Sequence, residues 1–328
     1  MDNTGSPHLC FPNLNSSCRR LLRHPSEAVL LYTLLAFVSL LTVTLNILII
    51  FSISYFQQLH TPTNNLLLSL AVCDMGVGLL VMPIEGLRYI ETCWLLGRLM
   101  CALSPYVFYG LVSTSLGHMV LISIVRYLTI CHPLQHNTKI TITNVNISIC
   151  LCWTSAFIYN GLILMDHMGN PDRFSSCRGE CVVVINHIPG TVDLFITFVG
   201  PCSVMVVLYM KVFLVAVSQV RVIRSQTAAT TAKAAPTTRK SQTKAARTLG
   251  ILVVVFLICF CPYVYPILAA EQNSTNLSYY SILTWIMLLN SCLNPLIYAL
   301  FYPWFRKAMK LTFTFKILQA HSHDAMIM

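Results

Sequence analysis

Long apolar runs, uncharged and separated by short polar connections, dominate this chain. Such runs place most of the chain in lipid rather than water. A helix that crosses the hydrocarbon core at 1.5 Å rise needs about 20 apolar residues. Seven segments satisfy this, at about 28–54, 64–84, 102–130, 145–165, 188–217, 248–270 and 280–301. The fourth has the weakest pattern, because Thr143, Asn144 and Asn146 make its start polar. The third and fifth exceed the bilayer thickness, which predicts tilt or extension into water. The predicted fold class is an all-α membrane protein, a seven-transmembrane helix bundle followed by a short amphipathic helix. Residues 1–26 form a polar segment, 27–301 the membrane domain, and 302–328 the amphipathic helix and tail. The polar segment carries Pro, Asn and three Arg and does not read as a cleaved signal peptide. The first helix is therefore expected to act as its own signal, with the two termini on opposite sides.

Composition narrows the class. Hydrophobic types make up 56% of the 328 residues and charged types only 10%, against about 25% charged in a soluble domain. That excludes the soluble enzymes. A net charge of +10 would suit nucleic acid in a soluble protein, but the hydropathy argues against such a partner here. Sorting the charges by side is more informative. The connections after the first, third and fifth spans hold Lys139, Arg221, Arg224, Lys233, Arg239, Lys240, Lys244 and Arg247 and no acid. The tail adds Arg306, Lys307, Lys310 and Lys316 against Asp324. This excess marks the cytoplasmic side and puts the N-terminus outside, as in a multi-pass protein of the plasma membrane. The glycosylation sequons at Asn15, Asn273 and Asn276 then all face outward. The basic run 221–247 attracts anionic membrane lipid or docks a partner, and its composition predicts flexibility through 225–240.

Of fourteen cysteines, most lie inside predicted helices, where they act as small apolar residues. Cys10, Cys18, Cys93, Cys101, Cys177 and Cys181 face the oxidising side. Cys101 and Cys181 make a natural pair that pins a loop over the mouth of the bundle, and Cys177 reaches back to Cys10 or Cys18. A metal site at Cys177-x-x-x-Cys181 lacks a His or a second thiolate pair at ligand spacing.

Several polar residues sit where a bilayer disfavours them, and these are functional candidates. They are Asn46, Asp74, Arg126, Asp193, Asn290 and Asn294, accompanied by Trp153 and by Pro201, Pro262 and Pro295. With the motifs Leu70-Ala71-Val72-Cys73-Asp74, Val125-Arg126-Tyr127, Cys259-Phe260-Cys261-Pro262 and Asn294-Pro295-Leu296-Ile297-Tyr298, the chain resembles the rhodopsin-like G-protein-coupled receptors. Two stretches narrow the likeness: Gln58-Leu59-His60-Thr61-Pro62-Thr63-Asn64, and the run from Asn290 to Lys307. They are similar to the trace amine-associated receptors, as are Cys177-Arg178-Gly179-Glu180-Cys181 and the segment from Cys10 to Cys18. The resemblance implies an amine-sensing receptor, olfactory in most members, that works through a stimulatory heterotrimeric G protein and needs no cofactor beyond an allosteric sodium ion.

An amine is protonated at pH 7 and needs a carboxylate in a dry pocket. Aminergic receptors place an Asp on the third helix, at the position 18 residues before Arg126 and seven after Cys101, which here is Phe108. Asp193, eight residues before Pro201, is the expected replacement, with Phe108, Tyr109, Phe260, Tyr263 and Trp285 as candidate rings for cation–π contact. Its structural alternative is pairing with Thr197 or Ser113. Glu85 is either a second carboxylate for a diamine or the partner of Arg88 three residues on. The resemblance further implies a sodium pocket of Asp74, Ser115, Asn290, Ser291 and Asn294, backed by Asn46, and a switch of Arg126, Tyr209 and Tyr298. Val125 stands where the family carries an acid, and Gln242 on the sixth helix offers no substitute, which predicts raised basal signalling. Phe260 replaces the usual Trp and loses the indole donor.

Other readings keep the fold with a neutral odorant, given Phe108, or with a constitutively active orphan receptor. A small-solute transporter would show internal repeats and paired broken segments, and neither is visible. An intramembrane enzyme needs a nucleophile with a base, and His118, the main deep histidine, has no obvious partner in the sequence.

Overall fold

The computed structural model describes residues 9–313 except 22, 134–137, 186, 230–236, 269–276 and 302. Eight helices carry the architecture: α1 (Pro25–Tyr55), α2 (Pro62–Gly76, continued by Met82–Glu91), α3 (Gly97–Cys131), α4 (Ile142–Ile163), α5 (His187–Leu194, continued by Gly200–Ala229), α6 (Thr237–Leu268), α7 (Leu277–Phe301) and α8 (Pro303–Phe313). Extended structure among the described residues is limited to two isolated bridges, Leu9 with Arg19 and Ser17 with Arg178. Helices α1 to α5 and α7 are long and apolar enough to cross a membrane, and α6 contributes the shorter apolar stretch Gly250–Tyr265.

Local chemistry starts and bends these helices. Pro25 and Pro62 stand in first turns, where a missing N–H is no loss. Thr61 and Thr141 cap α2 and α4 by accepting from the amides of Asn64 and Asn144. Both α2 and α5 contain a π turn, Val77–Val81 and Phe195–Val199. Each precedes a proline, Pro83 or Pro201, whose ring cannot donate to the carbonyl one turn back, and the wider turn absorbs the change of register. This is why α2 continues to Glu91 rather than stopping near residue 84, and so carries Glu85 and Arg88 on a helix.

Helix also replaces much of the flexibility expected through 225–240. The run α5 reaches Ala229 and α6 begins at Thr237, because Ala, Gln, Lys and Arg are strong helix formers. The connection itself lies outside the described residues.

A single core runs along the bundle through Leu70, Met119, Phe256, Met287 and Tyr298. Large apolar side chains also face outward, among them Leu30, Phe37 and Leu40 of α1 and Leu151, Ile158 and Leu162 of α4. Lipid, not water, is the solvent that suits such a surface. Helix α4 is the most peripheral, with only Val145, Ala156 and Asn160 buried. At the other end Ala308 anchors α8 against Phe56 and Leu59, and Phe305 joins the main core, while Arg306, Lys307 and Lys310 point outward. Arg306 donates to the Leu300 carbonyl at 2.7 Å and closes the end of α7.

Close approach of α3 and α4 depends on small residues, as helix pairs in lipid do. A Cβ at Gly110 would lie 2.8 Å from the Phe157 ring, and one at Gly117 would overlap the Cys152 sulfur. Gly117→Ala is expected to cost about 1–3 kcal/mol of stability by overpacking and to lower the thermal midpoint in detergent. Adding Cys152→Ala should restore most of it; an unchanged midpoint in the single variant would contradict this contact.

Candidate functional site

The outer mouth of the bundle is roofed by chain segments joined through three disulfides, Cys10–Cys93, Cys18–Cys177 and Cys101–Cys181. The choice left open for Cys177 falls to Cys18, and Cys93, for which the sequence offered no partner, takes Cys10. Backbone bonds knit the same segments: Cys18 N to the Arg178 carbonyl at 2.9 Å, Arg178 N to Ser16 at 2.8 Å, and Trp94 N to Gly179 at 2.7 Å. Gly179 has φ +103°, and a Cβ there would meet the Cys10 Cβ at 2.9 Å, so glycine is required twice over. Below the roof, Glu91 at the end of α2 accepts from Arg20 and from the Tyr32 hydroxyl. The sulfurs near His167 and Glu180 belong to these disulfides and are not thiolates for a metal. Asn15 is exposed on the N-terminal segment; Asn273 and Asn276 lie outside the described residues.

Beneath the roof, the outer halves of α2, α3, α5 and α6 bring together the predicted ligand residues. Phe108 is buried and packs edge-on against Tyr109, with centroids 5.0 Å apart. The hydroxyl of Tyr109 faces that of Tyr263 from α6, and Glu85, Arg88 and Asp193 all lie within electrostatic reach of Tyr109. Phe260 stacks on Phe256 at 4.1 Å and on Phe198 of α5 at 6.4 Å. Trp285 is half-buried against the same core from α7.

Asp193 is half-buried with its Oδ1 buried, and its carboxylate is hydrogen-bonded to a tyrosine. The neighbours expected to satisfy it are engaged elsewhere. Thr197 donates to the Asp193 backbone carbonyl at 2.8 Å, and Ser113 accepts from Asn160 at 3.0 Å. What lies against the carboxylate is Tyr159 of α4, a residue the sequence did not single out. Its signal was invisible there, because the apolar pattern of α4 does not show which side turns inward. Glu85 faces Arg88 at 3.9 Å, and Arg88 also donates to the Cys181 carbonyl at 2.7 Å. This pair therefore ties α2 to the roof at the edge of the aromatic cluster.

Deeper, Asp74 is fully buried and its Oδ2 accepts from Asn294 at 2.8 Å. Ser291 also bonds the carboxylate. Asn46 reaches across from α1 to the Ser291 carbonyl at 3.1 Å. Five side-chain oxygens in this region are buried without a partner: Asp74 Oδ1, Asn46 Oδ1, Ser115 Oγ, Asn290 Oδ1 and Asn294 Oδ1. A set of oxygens around one carboxylate is the donor type that a hard cation takes.

Toward the end of the bundle opposite the roof, Tyr298 is buried, Arg126 and Tyr209 are half-buried, and Val125 is packed into the core where an acid was expected. Lys211 of α5 lies over the Tyr127 ring at 5.8 Å, and Tyr127 bonds His132 at 3.1 Å. Gln242 belongs to a stretch whose side chains are outside the description.

A disulfide-roofed bundle of apolar helices, with an aromatic cluster beneath the roof and a buried Asp74–Asn294 pair deeper in the core, is the architecture of a helical membrane receptor. The family model described as "7 transmembrane receptor (rhodopsin family)" matches residues 45–298. The chain is 36% identical over 322 residues to trace amine-associated receptor 13c of Danio rerio, covering 96% of this chain and 94% of that one. It is 37% identical over 324 residues to trace amine-associated receptor 6 of Pan troglodytes (96% and 94%). Against trace amine-associated receptor 7e of Mus musculus the identity is 38% over 327 residues (97% and 91%). The chain belongs to the rhodopsin family of G-protein-coupled receptors and, within it, to the trace amine-associated receptors. It is a receptor rather than an enzyme.

The disulfide pattern is directly testable. Peptide mapping without reduction should recover Cys10–Cys93, Cys18–Cys177 and Cys101–Cys181, and Cys18→Ser should expose Cys177 alone to alkylation. A Cys10–Cys177 linkage in the unaltered protein would overturn the assignment.

Proposed function

We propose that this receptor senses a small protonated amine at the cell surface, with the ammonium held by Asp193, and signals through a stimulatory G protein. One observation carries the reading: the Asp193 carboxylate has a buried oxygen and takes part in none of the ion pairs among the described residues, and it lies within electrostatic reach of the Tyr109–Tyr263 pair. A carboxylate in low dielectric calls for a counter-charge with N–H groups. An ammonium supplies both, and the rings of Tyr109, Phe260 and Tyr263, with Trp285 at the α7 side, add cation–π attraction. Phe108 occupies the place of the usual acid on α3, so the charge anchor moves across the cavity to α5, where Thr197 steadies the backbone turn. Glu85, engaged by Arg88, closes the outer edge. The printed names of the relatives support an amine as the ligand class.

Binding then biases an equilibrium between two packings of the bundle, and the G protein biases it from the other end. Arg126, Tyr209 and Tyr298 are the groups that rearrange, and the basic inner surface faces the partner and anionic lipid. Asp74, Ser115, Asn290, Ser291 and Asn294 would hold a sodium ion, whose charge would favour the resting packing. The N-terminus, with a glycan on Asn15, lies outside, and the tail lies in the cytoplasm.

The anchor is tested in cells that report cyclic AMP, with a panel of primary, tertiary and di-amines and their neutral analogues. Asp193→Asn, at matched surface expression, should raise the half-effective concentration of active amines about 100-fold, the scale of a buried charge pair losing one member. Unchanged potency would remove Asp193 from the role. Replacing sodium by N-methylglucamine should shift the agonist curve of the unaltered receptor, and Asp74→Asn should abolish that shift. A shift that survives the substitution would exclude the ion from this pocket.

A further inference from the structure

The Asp193 carboxylate has a polar companion that the amine reading does not use. Tyr159 projects from α4, and the rotation of that helix is fixed by its neighbours. Phe157 lies over Gly110 of α3 and packs edge-on against Tyr106 at 5.5 Å. Asn160 is buried and donates both to Ser113 of α3 at 3.0 Å and to the Ala156 carbonyl at 2.8 Å. With Asn160 pinned toward α3, the preceding side chain leaves the helix about 100° away, and it meets Asp193 of α5. The Tyr159 hydroxyl and Asp193 Oδ1 are both buried, and the hydroxyl is hydrogen-bonded to the carboxylate. Donating its O–H leaves the phenol oxygen its capacity to accept, so a ligand that donates N–H groups to both the carboxylate and the phenol oxygen fits this pair. Thr197 turns its hydroxyl to the Asp193 backbone carbonyl, and Ser113 accepts from Asn160.

We propose that Tyr159 is a specificity-determining residue of the amine site, its hydroxyl oxygen accepting a second N–H of the ammonium that Asp193 holds. This rests on the Asp193 reading and adds a selectivity to it. A primary ammonium carries N–H groups for Asp193 and for Tyr159 together. A tertiary ammonium has a single N–H, which goes to the carboxylate and leaves the phenol oxygen unsatisfied against methyl groups. The receptor therefore prefers primary amines to their N,N-dimethyl derivatives, and Tyr159 is the source of the preference.

The test pairs primary amines with their N,N-dimethyl counterparts (pentylamine, benzylamine, phenethylamine and cyclohexylamine), read as cyclic AMP at matched surface expression. In the unaltered receptor the primary member of each active pair should be the more potent. Tyr159→Phe keeps the ring and its packing and removes only the hydroxyl. It should weaken primary amines about tenfold, the worth of one hydrogen bond to a charged group, while tertiary amines change less than about twofold, so the ratio collapses. An equal loss for both classes makes Tyr159 a packing residue and overturns the proposal, as does an unchanged ratio. If Asp193→Asn spares every amine, or no amine in the series is active, the anchor fails and this inference with it. If Asp193→Asn silences the receptor but Tyr159→Phe leaves the ratio intact, only the inference fails.

Discussion

Lipid offers no hydrogen bonds, and the rest of this structure follows from that constraint. Every backbone N–H and carbonyl within the membrane must be paired inside the chain, which leaves helices as the usable element. Hydroxyl side chains follow the same rule locally. Thr42, Ser52, Thr114, Ser123, Thr129 and Ser203 all donate to the carbonyl one turn back in their own helix. Amides, carboxylates and ring nitrogens cannot be settled so cheaply and have to reach another helix. Asn46 bonds α7, Asn160 bonds α3, and Asn294 bonds Asp74 of α2. Buried oxygens without a partner after this sorting gather around Asp74.

His118 shows the same rule working to completion. Trp153 donates to Ser69 at 2.9 Å, and Ser69 sits 2.7 Å from His118 Nε2. His118 Nδ1 lies 2.8 Å from the Thr114 carbonyl. A carbonyl only accepts, so Nδ1 carries the proton and Nε2 accepts from the Ser69 hydroxyl. The chain of donors then runs in one direction from α4 through α2 to α3 and holds a neutral imidazole. The main deep histidine is thus a rivet between three helices, with the Cys152 sulfur 3.8 Å from its Nδ1.

The roof answers a different problem. Outside the membrane the chain is short and polar and has no core of its own beyond Trp94, Cys101 and Cys181. Three disulfides supply what packing cannot in so small a volume, and they join the N-terminal segment, the α2–α3 turn and the loop before α5 into one cover. Arg88 links that cover to α2 through the Cys181 carbonyl. The aromatic cluster is therefore framed by cross-linked chain on one side and by packed helices on the other.

Apolar run length was enough to read the helical spans, because it depends on composition along the chain and not on contacts. The motif positions of Asp74, Arg126 and Asn294 and the substitution at Phe108 were legible for the same reason, and they pointed to Asp193. What lay beyond reach was any property set by helix rotation or by loops meeting in space. Nearly uniform apolar helices carry little record of which side faces inward, so Tyr159 stayed hidden until Phe157 and Asn160 fixed the phase of α4. Cys93 had no sequence cue to Cys10, since the pairing depends on the path of the roof. The extension of α2 past Pro83 depended on a π turn that local propensity does not announce. Sequence determined the solvent, the class and the position of the carboxylate on α5; only the tertiary packing decided which neighbours that carboxylate has, because in lipid partners are chosen by proximity across helices.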